Sequence, residues 1–479
     1  MKFDCVIIGA GAAGMSAALI LARAGQKVAL VEKAARTAPV LRGFRRQGVQ
    51  FDTGFHYTGG LGEGEPLDLF FRHLGLAGRL EKKAYDPDGF DVIRDAGRGG
   101  GFAFPYGFER LRARLAEAFP AARGAIDRYL AEIEAVCERS PYLSLKGGVD
   151  RSRDRGGIYG PSLRQVLDGL TGDARLKELL CHHAILYGVA PEEIPFARHA
   201  CVVGPFYRSV YGLKGGGLSL VAAYDAALAE AGVKVFCGRG ARAIEAGSAG
   251  GLRGVRLEDG EVLETRCCIA TVHPRNFLEM APEGLYRPAL RRRLEDLGES
   301  QGAYLFYARC NGPLPQLEGR NLYLVPGPPV AGQGTDLLYL AAAAEGNGLV
   351  AVCPAPPEWT DPATGRTEGY ARFKEEAEAR VLSHIEAGCP ELAGRLQMVA
   401  SATPLTLRDY AHTPAGGLYG VKHMIGQYNP LPVTKVEGLY VAGQAVVAPG
   451  VLGAVLSAFL ACGTILGHER LVEEVRGCA

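Results

Sequence analysis

The segment Asp4-Cys5-Val6-Ile7-Ile8-Gly9-Ala10-Gly11-Ala12-Ala13-Gly14 runs an apolar strand into a three-glycine turn and a helix-forming stretch, and Glu32 stands eighteen positions after Gly14. This pattern restricts the N-terminus to a βαβ unit whose turn faces a phosphate. Gly9 makes the tight turn, Gly11 lets the backbone approach a pyrophosphate on the helix N-terminus, and Gly14 lets the helix pack close to the strand. Glu32 follows a second strand, Lys27-Val28-Ala29-Leu30-Val31, where it can accept hydrogen bonds from an adenosine ribose and would repel a 2′-phosphate. A glycine-rich turn alone is a weak signal, because such turns recur for packing reasons; here strand, helix and acid agree. The expectation is a dinucleotide site built from Gly9, Gly11, Ala12, Ala13, Gly14 and Glu32.

At 479 residues and 48% hydrophobic content the chain exceeds a single core and is expected to form two domains. Lys and Arg number 53 against 52 Asp and Glu, a net charge of +1, which gives no electrostatic case for nucleic acid and no long basic block for an anionic membrane. The twelve cysteines form no C-x-x-C pair, so neither a zinc site nor a thioredoxin-type motif is readable, and they are expected to be small buried groups in a reducing cytoplasm. Met1-Lys2-Phe3 leads straight into the first strand, which points to a chain kept inside the cell. Gly438 to Gly467 is the longest uncharged stretch, long enough to raise a membrane span. Pro449-Gly450 breaks it, however, and Val451 to Leu466 is expected to be a helix buried inside a folded domain.

Material of the first domain returns later in pieces. Gly232-Val233-Lys234-Val235-Phe236 reads as a strand, Val255 to Leu263 as a hairpin with an Asp259-Gly260 turn, and Arg266 to Val272 as a buried strand. Between them, Phe108 to Glu138 and Ser162 to Leu186 have the spacing of amphipathic helices and suit an inserted covering domain. A second insertion, from about Tyr286 to Thr403, carries strands at 302–308 and 337–340 and a helix at 368–386, where a substrate-facing sheet is expected. Val325-Pro326-Gly327-Pro328-Pro329 reads as a stiff connector.

Three further segments make the chain recognisable. Gly48-Val49-Gln50-Phe51-Asp52-Thr53-Gly54-Phe55-His56-Tyr57-Thr58-Gly59-Gly60, Ser401 to Thr406 with Gly417-Leu418-Tyr419-Gly420, and Leu439 to Gly453 resemble, in order, the FAD-dependent phytoene desaturase, carotenoid isomerase and retinol saturase superfamily. His56-Tyr57 followed by paired glycines is most similar to the all-trans-retinol 13,14-reductase branch. The resemblance implies an α/β fold: a Rossmann-like FAD-binding domain of the glutathione-reductase type (1–75, 205–285 and 404–479) with an inserted α+β substrate domain (76–204 and 286–403). It also implies non-covalent FAD. Related flavoproteins carry Ala-Gly-Asp where this chain has Ala442-Gly443-Gln444; Gln444 can still hydrogen-bond a ribityl hydroxyl. The helix opening at Gly450-Val451-Leu452 would direct its N–H groups toward the flavin. The family's Gly-Gly-Arg after the ribose acid is replaced by Lys33-Ala34-Ala35-Arg36-Thr37, so pyrophosphate contacts are expected to pass to Lys33, Arg36 or Arg42.

By the same resemblance His56 and Tyr57 lie beside the isoalloxazine ring, as candidates for proton handling or as a hydrogen-bonded structural loop. Cys181-His182-His183 invites a metal reading, but adjacent helical histidines point apart and no third ligand stands at ligand spacing, so no metal is expected. His273, His412 and His423 are read as structural. The implied activity is hydride transfer to or from a carbon-carbon double bond of a lipophilic polyene or isoprenoid, leaning to reduction. Alternatives are a phytoene-desaturase-type dehydrogenase, a reduced-FAD-dependent isomerase and, outside enzymes, a lipid carrier of the Rab GDP-dissociation-inhibitor type. Lys214-Gly215-Gly216-Gly217-Leu218 lacks the spacing of a second fingerprint, so electrons are expected from a separate donor or acceptor. The remaining expectations are a lipophilic small-molecule substrate, no nucleic acid, and a cytoplasmic location with peripheral membrane contact held open.

Overall fold

The structure, a computed structural model, describes residues 1–95, 100–140, 142–145, 160–247, 251–282, 284–325, 337–355, 366 and 368–479. The proposed connector at Pro326 to Pro329 lies outside them. A parallel five-stranded sheet runs in the order Lys234–Cys237, Val28–Glu32, Cys5–Ile8, Cys268–Ala270, Leu439–Val441. Its strands are apolar and uninterrupted because both faces are covered. The helix Ala12–Arg23 and the C-terminal helix Gly450–Leu466 share a core on one face. On the other, Val6, Ile8, Ala29 and Val31 meet the three-stranded antiparallel sheet at 241–264. That sheet contains the hairpin read around Asp259-Gly260, with Val255 opposite Leu263 and Gly260 at φ +88°.

Glycine decides how close the first helix comes. A Cβ at Gly14 would sit 1.8 Å from the carbonyl oxygen of Gly9, whereas one at Gly11 would meet nothing within 4 Å. The two glycines therefore do different work: Gly14 permits packing, and Gly11 borders open space. The C-terminal helix is largely buried, and among the described residues no helix is long and apolar enough to cross a membrane. All twelve cysteines are free.

A mixed seven-stranded sheet forms the second layer system, in the order Leu396–Ala402, Ala303–Cys310, Gly348–Pro354, Leu338–Ala342, Asn321–Val325, Asp91–Asp95, Gly100–Phe104. Strand alternation divides its side chains cleanly. Tyr304, Phe306 and Ala308 face a core beneath the helix Glu368–Gly388, while Leu305, Tyr307, Tyr323 and Tyr339 face the helices between 108 and 208. Two strands, Asp91–Asp95 and Gly100–Phe104, come from the first insertion, where only the helices at 108–138 and 162–186 are expected; charges at Asp91, Arg94 and Asp95 break the apolar pattern.

The expected long helices are shorter. Phe108–Ala118 ends at Phe119, whose φ of −133° and ψ of 65° lie outside the helical region that Pro120 disfavours for the residue before it, and Arg123–Arg139 starts afresh. The stretch 162–186 divides into Leu163–Leu170, Ala174–Cys181 and the 3₁₀ turn His182–Leu186, because Asp173 accepts the Leu176 N–H and caps a new start. Substituting the two glycines separates packing from open space. Gly14→Ala should lower the thermal midpoint by an amount corresponding to roughly 3 kcal/mol of overpacking, while Gly11→Ala should stay within about 0.5 kcal/mol of the parent; circular-dichroism melts measure both.

Candidate functional site

The C-terminal ends of the parallel strands form a crevice. Gly9, at φ +99°, turns the chain; its carbonyl and that of Ile8 accept the Thr271 hydroxyl at 3.1 and 3.0 Å. Thr271 also sets Gly443, where a Cβ would lie 3.3 Å from the Thr271 carbonyl oxygen. The Gly443 N–H donates to Ser457 Oγ at 2.7 Å, tying the last strand to the C-terminal helix. The turn Gly9–Gly14, Glu32, Gly443 and Gln444 are thus held around one opening. Glu32 is buried, accepting the Ala10 N–H at 2.7 Å and the Ala34 N–H at 2.8 Å, and each oxygen retains a lone pair for a ribose hydroxyl.

The expected cationic contacts are arranged differently. Arg42 Nη2 donates to Thr37 Oγ1 and Asp225 Oδ2, both at 2.9 Å, because the helix Gly216–Glu230 brings Asp225 across it. Lys33 and Arg36 are exposed, with Lys33 3.9 Å from Glu258. The glycine run at 215–217 is a packing device: Cβ atoms at Gly216 and Gly217 would lie 2.3 Å from Asp52 and 2.0 Å from the Leu41 carbonyl oxygen. Asp52 accepts the Gly217 N–H at 2.9 Å, and burial pushes its carboxyl up to about 7.

Gly59 and Gly60 join the crevice to the second layer. A Cβ at Gly59 would strike the Phe206 amide nitrogen at 2.3 Å, and Gly60, at φ +75°, lies beside Leu452 at the start of the C-terminal helix. Just before them His56 and Tyr57 enter a space bounded by aromatic rings. His56, Tyr57, Tyr85, His182, Phe206 and Tyr419 all retain some accessible surface, although burial strongly shifts the titratable members of the group. The Tyr57 ring stacks between Tyr85 and Tyr339, with centroids 5.6 and 6.3 Å away.

Beneath this lining lies a polar network that motif reading missed. The fully buried Asp91 accepts the Tyr57 hydroxyl at 3.0 Å, Asn321 Nδ2 at 2.8 Å and the Tyr323 hydroxyl at 3.4 Å, and His183 Nε2 lies 3.2 Å away. Tyr57 and Tyr323 hydroxyls are 3.0 Å apart, and Tyr339 donates to Asn321 at 3.1 Å. Register assembles it: Asn321 pairs with Asp91, and Tyr323 with Tyr339. The available signal was the tyrosine at alternate strand positions, but no local motif links positions so far apart in sequence.

The histidines sort by partner. His183 belongs to the network, and His182 packs edge-on to Tyr323 at 4.3 Å with Nε2 unpaired. Among the described residues no group of three metal-binding side chains converges. His273 Nδ1 accepts the Arg275 N–H and caps a helix, the His412 carbonyl accepts from Asn276, and His423 lies 2.8 Å from the Gln444 carbonyl oxygen, holding that turn. In His56 the Nδ1 is buried without a hydrogen-bond partner, and desolvation lowers its pKa to about 4, as it does for His273. Its imidazole is neutral at pH 7. The Tyr57 phenol, by contrast, is pushed well above its ordinary value by burial.

The sheet, glycine turn and crevice define a Rossmann-like FAD-binding fold of the amine-oxidase kind, with an additional mixed-sheet domain. A family model described as an NAD(P)-binding Rossmann-like domain matches residues 7–74. Among solved structures, an oxidoreductase from Methanosarcina mazei superposes with a TM-score of 0.69 at 16% identity, covering 96% of this chain and 99% of that one. Putrescine oxidase gives 0.65 at 16% identity over 100% and 99%. In sequence, the chain is 25% identical to the all-trans-retinol 13,14-reductase of Homo sapiens over 97% of its own length and 86% of that protein's. It is 22% identical to the 4,4'-diapolycopene oxygenase of a Methylomonas species over 92% and 93%. Over nearly its whole length the chain is thus distantly similar to retinol 13,14-reductases and to a carotenoid oxygenase.

A histidine with its pKa lowered to about 4 leaves a measurable trace. An unfolded imidazole titrates near 6.5, so as pH falls toward about 4 the unfolded chain takes up this proton first and the fold loses stability. NMR titration should show the His56 ring changing near pH 4, and His56→Gln should remove that part of the stability slope.

Proposed function

We propose that this chain holds FAD non-covalently in the crevice and carries out hydride transfer to a carbon-carbon double bond of a lipophilic polyene or isoprenoid. The observation that carries the reading is the approach of Gly60, in the loop after His56 and Tyr57, to Leu452 at the start of the C-terminal helix, where an added Cβ would lie 3.5 Å from the leucine. The residues present fit the group. Open space in front of Gly11 and Gly450 admits a cofactor, Glu32 offers lone pairs to a ribose, and Gln444 supplies an amide in place of the missing carboxylate. The N-terminus of Gly450–Leu466, through Gly450, Val451 and Leu452, presents a positive dipole end suited to negative charge on a bound ring. FAD, when bound, supplies the hydride chemistry.

The chain's own task is then the second hydrogen. Reduction places a hydride on one carbon and a proton on its neighbour, and Tyr57 is the proton donor in this reading. Its hydroxyl is held by Asp91 and Tyr323, which can return a proton through the hydrogen-bonded path leading to His183. Neutral His56 and the aromatic rings line the space for the polyene and keep it dry. The lean toward reduction follows the similarity to the retinol reductases; the reverse direction uses the same atoms. The electron donor is a separate molecule in this reading.

Two expectations test it. The purified chain should be yellow and release FAD on acid precipitation, and Gly11→Val should fold yet bind no flavin, because the new side chain fills the pyrophosphate space. Flavin left on the precipitate, or normal occupancy in Gly11→Val, contradicts the cofactor assignment. Tyr57→Phe should keep FAD bound and reducible while slowing reoxidation of the reduced protein by a conjugated polyene by roughly a hundredfold, the scale of losing a general acid. Stopped-flow absorbance measures the rate and product mass the direction: a gain of H₂ means reduction, a loss means dehydrogenation, and an unchanged mass means isomerisation.

A further inference from the structure

Three buried polar atoms without a hydrogen-bond partner, His273 Nε2, Glu299 Oε1 and Thr413 Oγ1, lie close to Gly420 and Gln444. A Cβ at Gly420, whose φ is +65°, would lie 3.2 Å from the Gln444 side-chain amide, 3.6 Å from the His273 ring and 3.9 Å from the Thr413 methyl group. Glu299 adjoins them: its Oε1 is 3.4 Å from His273 Nε2 and 3.5 Å from Arg275 Nη1, and the Ser300 N–H donates to the Gly420 carbonyl at 2.7 Å. The side chains of His273 and Glu299 are only 7% and 5% exposed, so bulk solvent does not satisfy them. Buried polar groups in folded proteins are otherwise paired, and a cluster of unpaired ones marks a place with an occupant.

The chemistry of the atoms says what kind. His273 Nδ1 accepts the Arg275 N–H at 3.2 Å and caps the helix Pro274–Met280, so the ring proton of the neutral imidazole sits on Nε2. Burial lowers the pKa of His273 to about 4, which keeps the ring neutral at pH 7. Glu299 Oε2 accepts the Ala415 N–H at 3.3 Å and so ties down the segment that leads to Tyr419. In each side chain one atom holds the fold and the other is unpaired. What remains is an N–H donor beside a carboxylate oxygen and a hydroxyl. A hydroxyl group, which donates and accepts at once, matches this set, whereas Glu299 would repel a phosphate.

Gln444 links this cluster to the dinucleotide crevice, since Thr271 bonds the Gly9 carbonyl and its own carbonyl borders Gly443. Along the crevice Glu32 is placed for a ribose, Gly11 for a pyrophosphate and Gly450 for the ring, and in FAD a polyol chain joins the last two. We propose that His273 Nε2 and Glu299 Oε1 bind hydroxyl groups of that polyol chain, His273 donating and Glu299 accepting, with Thr413 Oγ1 completing the set. The assignment rests on the FAD reading above, and it gives His273 a role beyond its helix cap.

Titration of the full-length protein, freed of flavin, with FAD tests it by quenching of flavin fluorescence. ADP is the second probe, measured by calorimetry, because it offers the ribose and pyrophosphate but no polyol chain. His273→Asn keeps an acceptor for the Arg275 N–H, asparagine being a good helix cap, and removes the Nε2–H. Glu299→Gln removes the charge and keeps an oxygen for the Ala415 N–H. Each variant is expected to bind FAD roughly fivefold to tenfold more weakly, the scale of one hydrogen bond, and to bind ADP as the parent does. Thermal midpoints of the flavin-free proteins check folding, and either variant alone decides the question. Unchanged FAD affinity overturns the proposal and leaves a structural pair or a trapped water. Equal weakening of FAD and ADP also overturns it, because the whole crevice has then moved. A parent protein that binds ADP but not FAD overturns the cofactor reading itself, and this assignment with it.

Discussion

The approach of the first helix to the first strand is the contact on which the rest depends. With no side chain at Gly14, the helix lies against the Gly9 carbonyl, and the turn between them is left facing outward with Gly11 in open space. The remaining strands of the sheet arrive from far along the chain. Cys268–Ala270 and Leu439–Val441 extend it in parallel register, and the C-terminal helix packs on the first helix, its Cys462 thiol reaching the Ala17 carbonyl. Thr271 and Ser457 then transmit the position of the first turn to Gly443. The crevice is a consequence of close helix-strand packing enforced from both ends of the chain.

The second layer uses a different constraint. A carboxylate at Asp91, with no accessible surface, is tolerable only because it is surrounded by donors: Tyr57, Asn321, Tyr323 and His183. Asn321 and Tyr323 share one strand and the other two donors come from separate elements, so the network pins the 56–60 loop, two strands of the mixed sheet and the 182–186 turn to one another. Networks of this kind specify a unique arrangement, since a shift in any member leaves a buried polar group unpaired. Satisfaction of Asp91 places the Tyr57 ring between Tyr85 and Tyr339 and leaves His56 Nδ1 unpaired. In the proposed reaction, the same contacts that stabilise the fold furnish the proton route.

Much of the crevice was legible in the chain because its signals are local. Gly9, Gly11, Gly14 and Glu32 lie within one βαβ unit, and the hairpin at Asp259-Gly260 is written in adjacent residues. The break between Phe108–Ala118 and Arg123–Arg139 is set by Pro120, whose effect on Phe119 is also local. The ion pair of Arg42 was not legible for another reason: its partner Asp225 lies on a helix nearly two hundred positions away. Strand Asp91–Asp95 escaped notice because its charges suggest a surface, and only pairing with Asn321–Val325 shows that one of them is buried.

The sequence by itself determined the βαβ unit, the dinucleotide turn and the family resemblance, since these rest on backbone geometry that a few neighbouring residues dictate. Only the tertiary structure decided the surroundings of His56 and Tyr57, the Asp91 network and the clustering of exposed Tyr428, Leu431 and Val433. A pKa, a buried hydrogen bond and a surface patch are properties of groups brought together from distant positions. Their energies depend on separation in space and exclusion of water, neither of which is written in the order of residues along the chain.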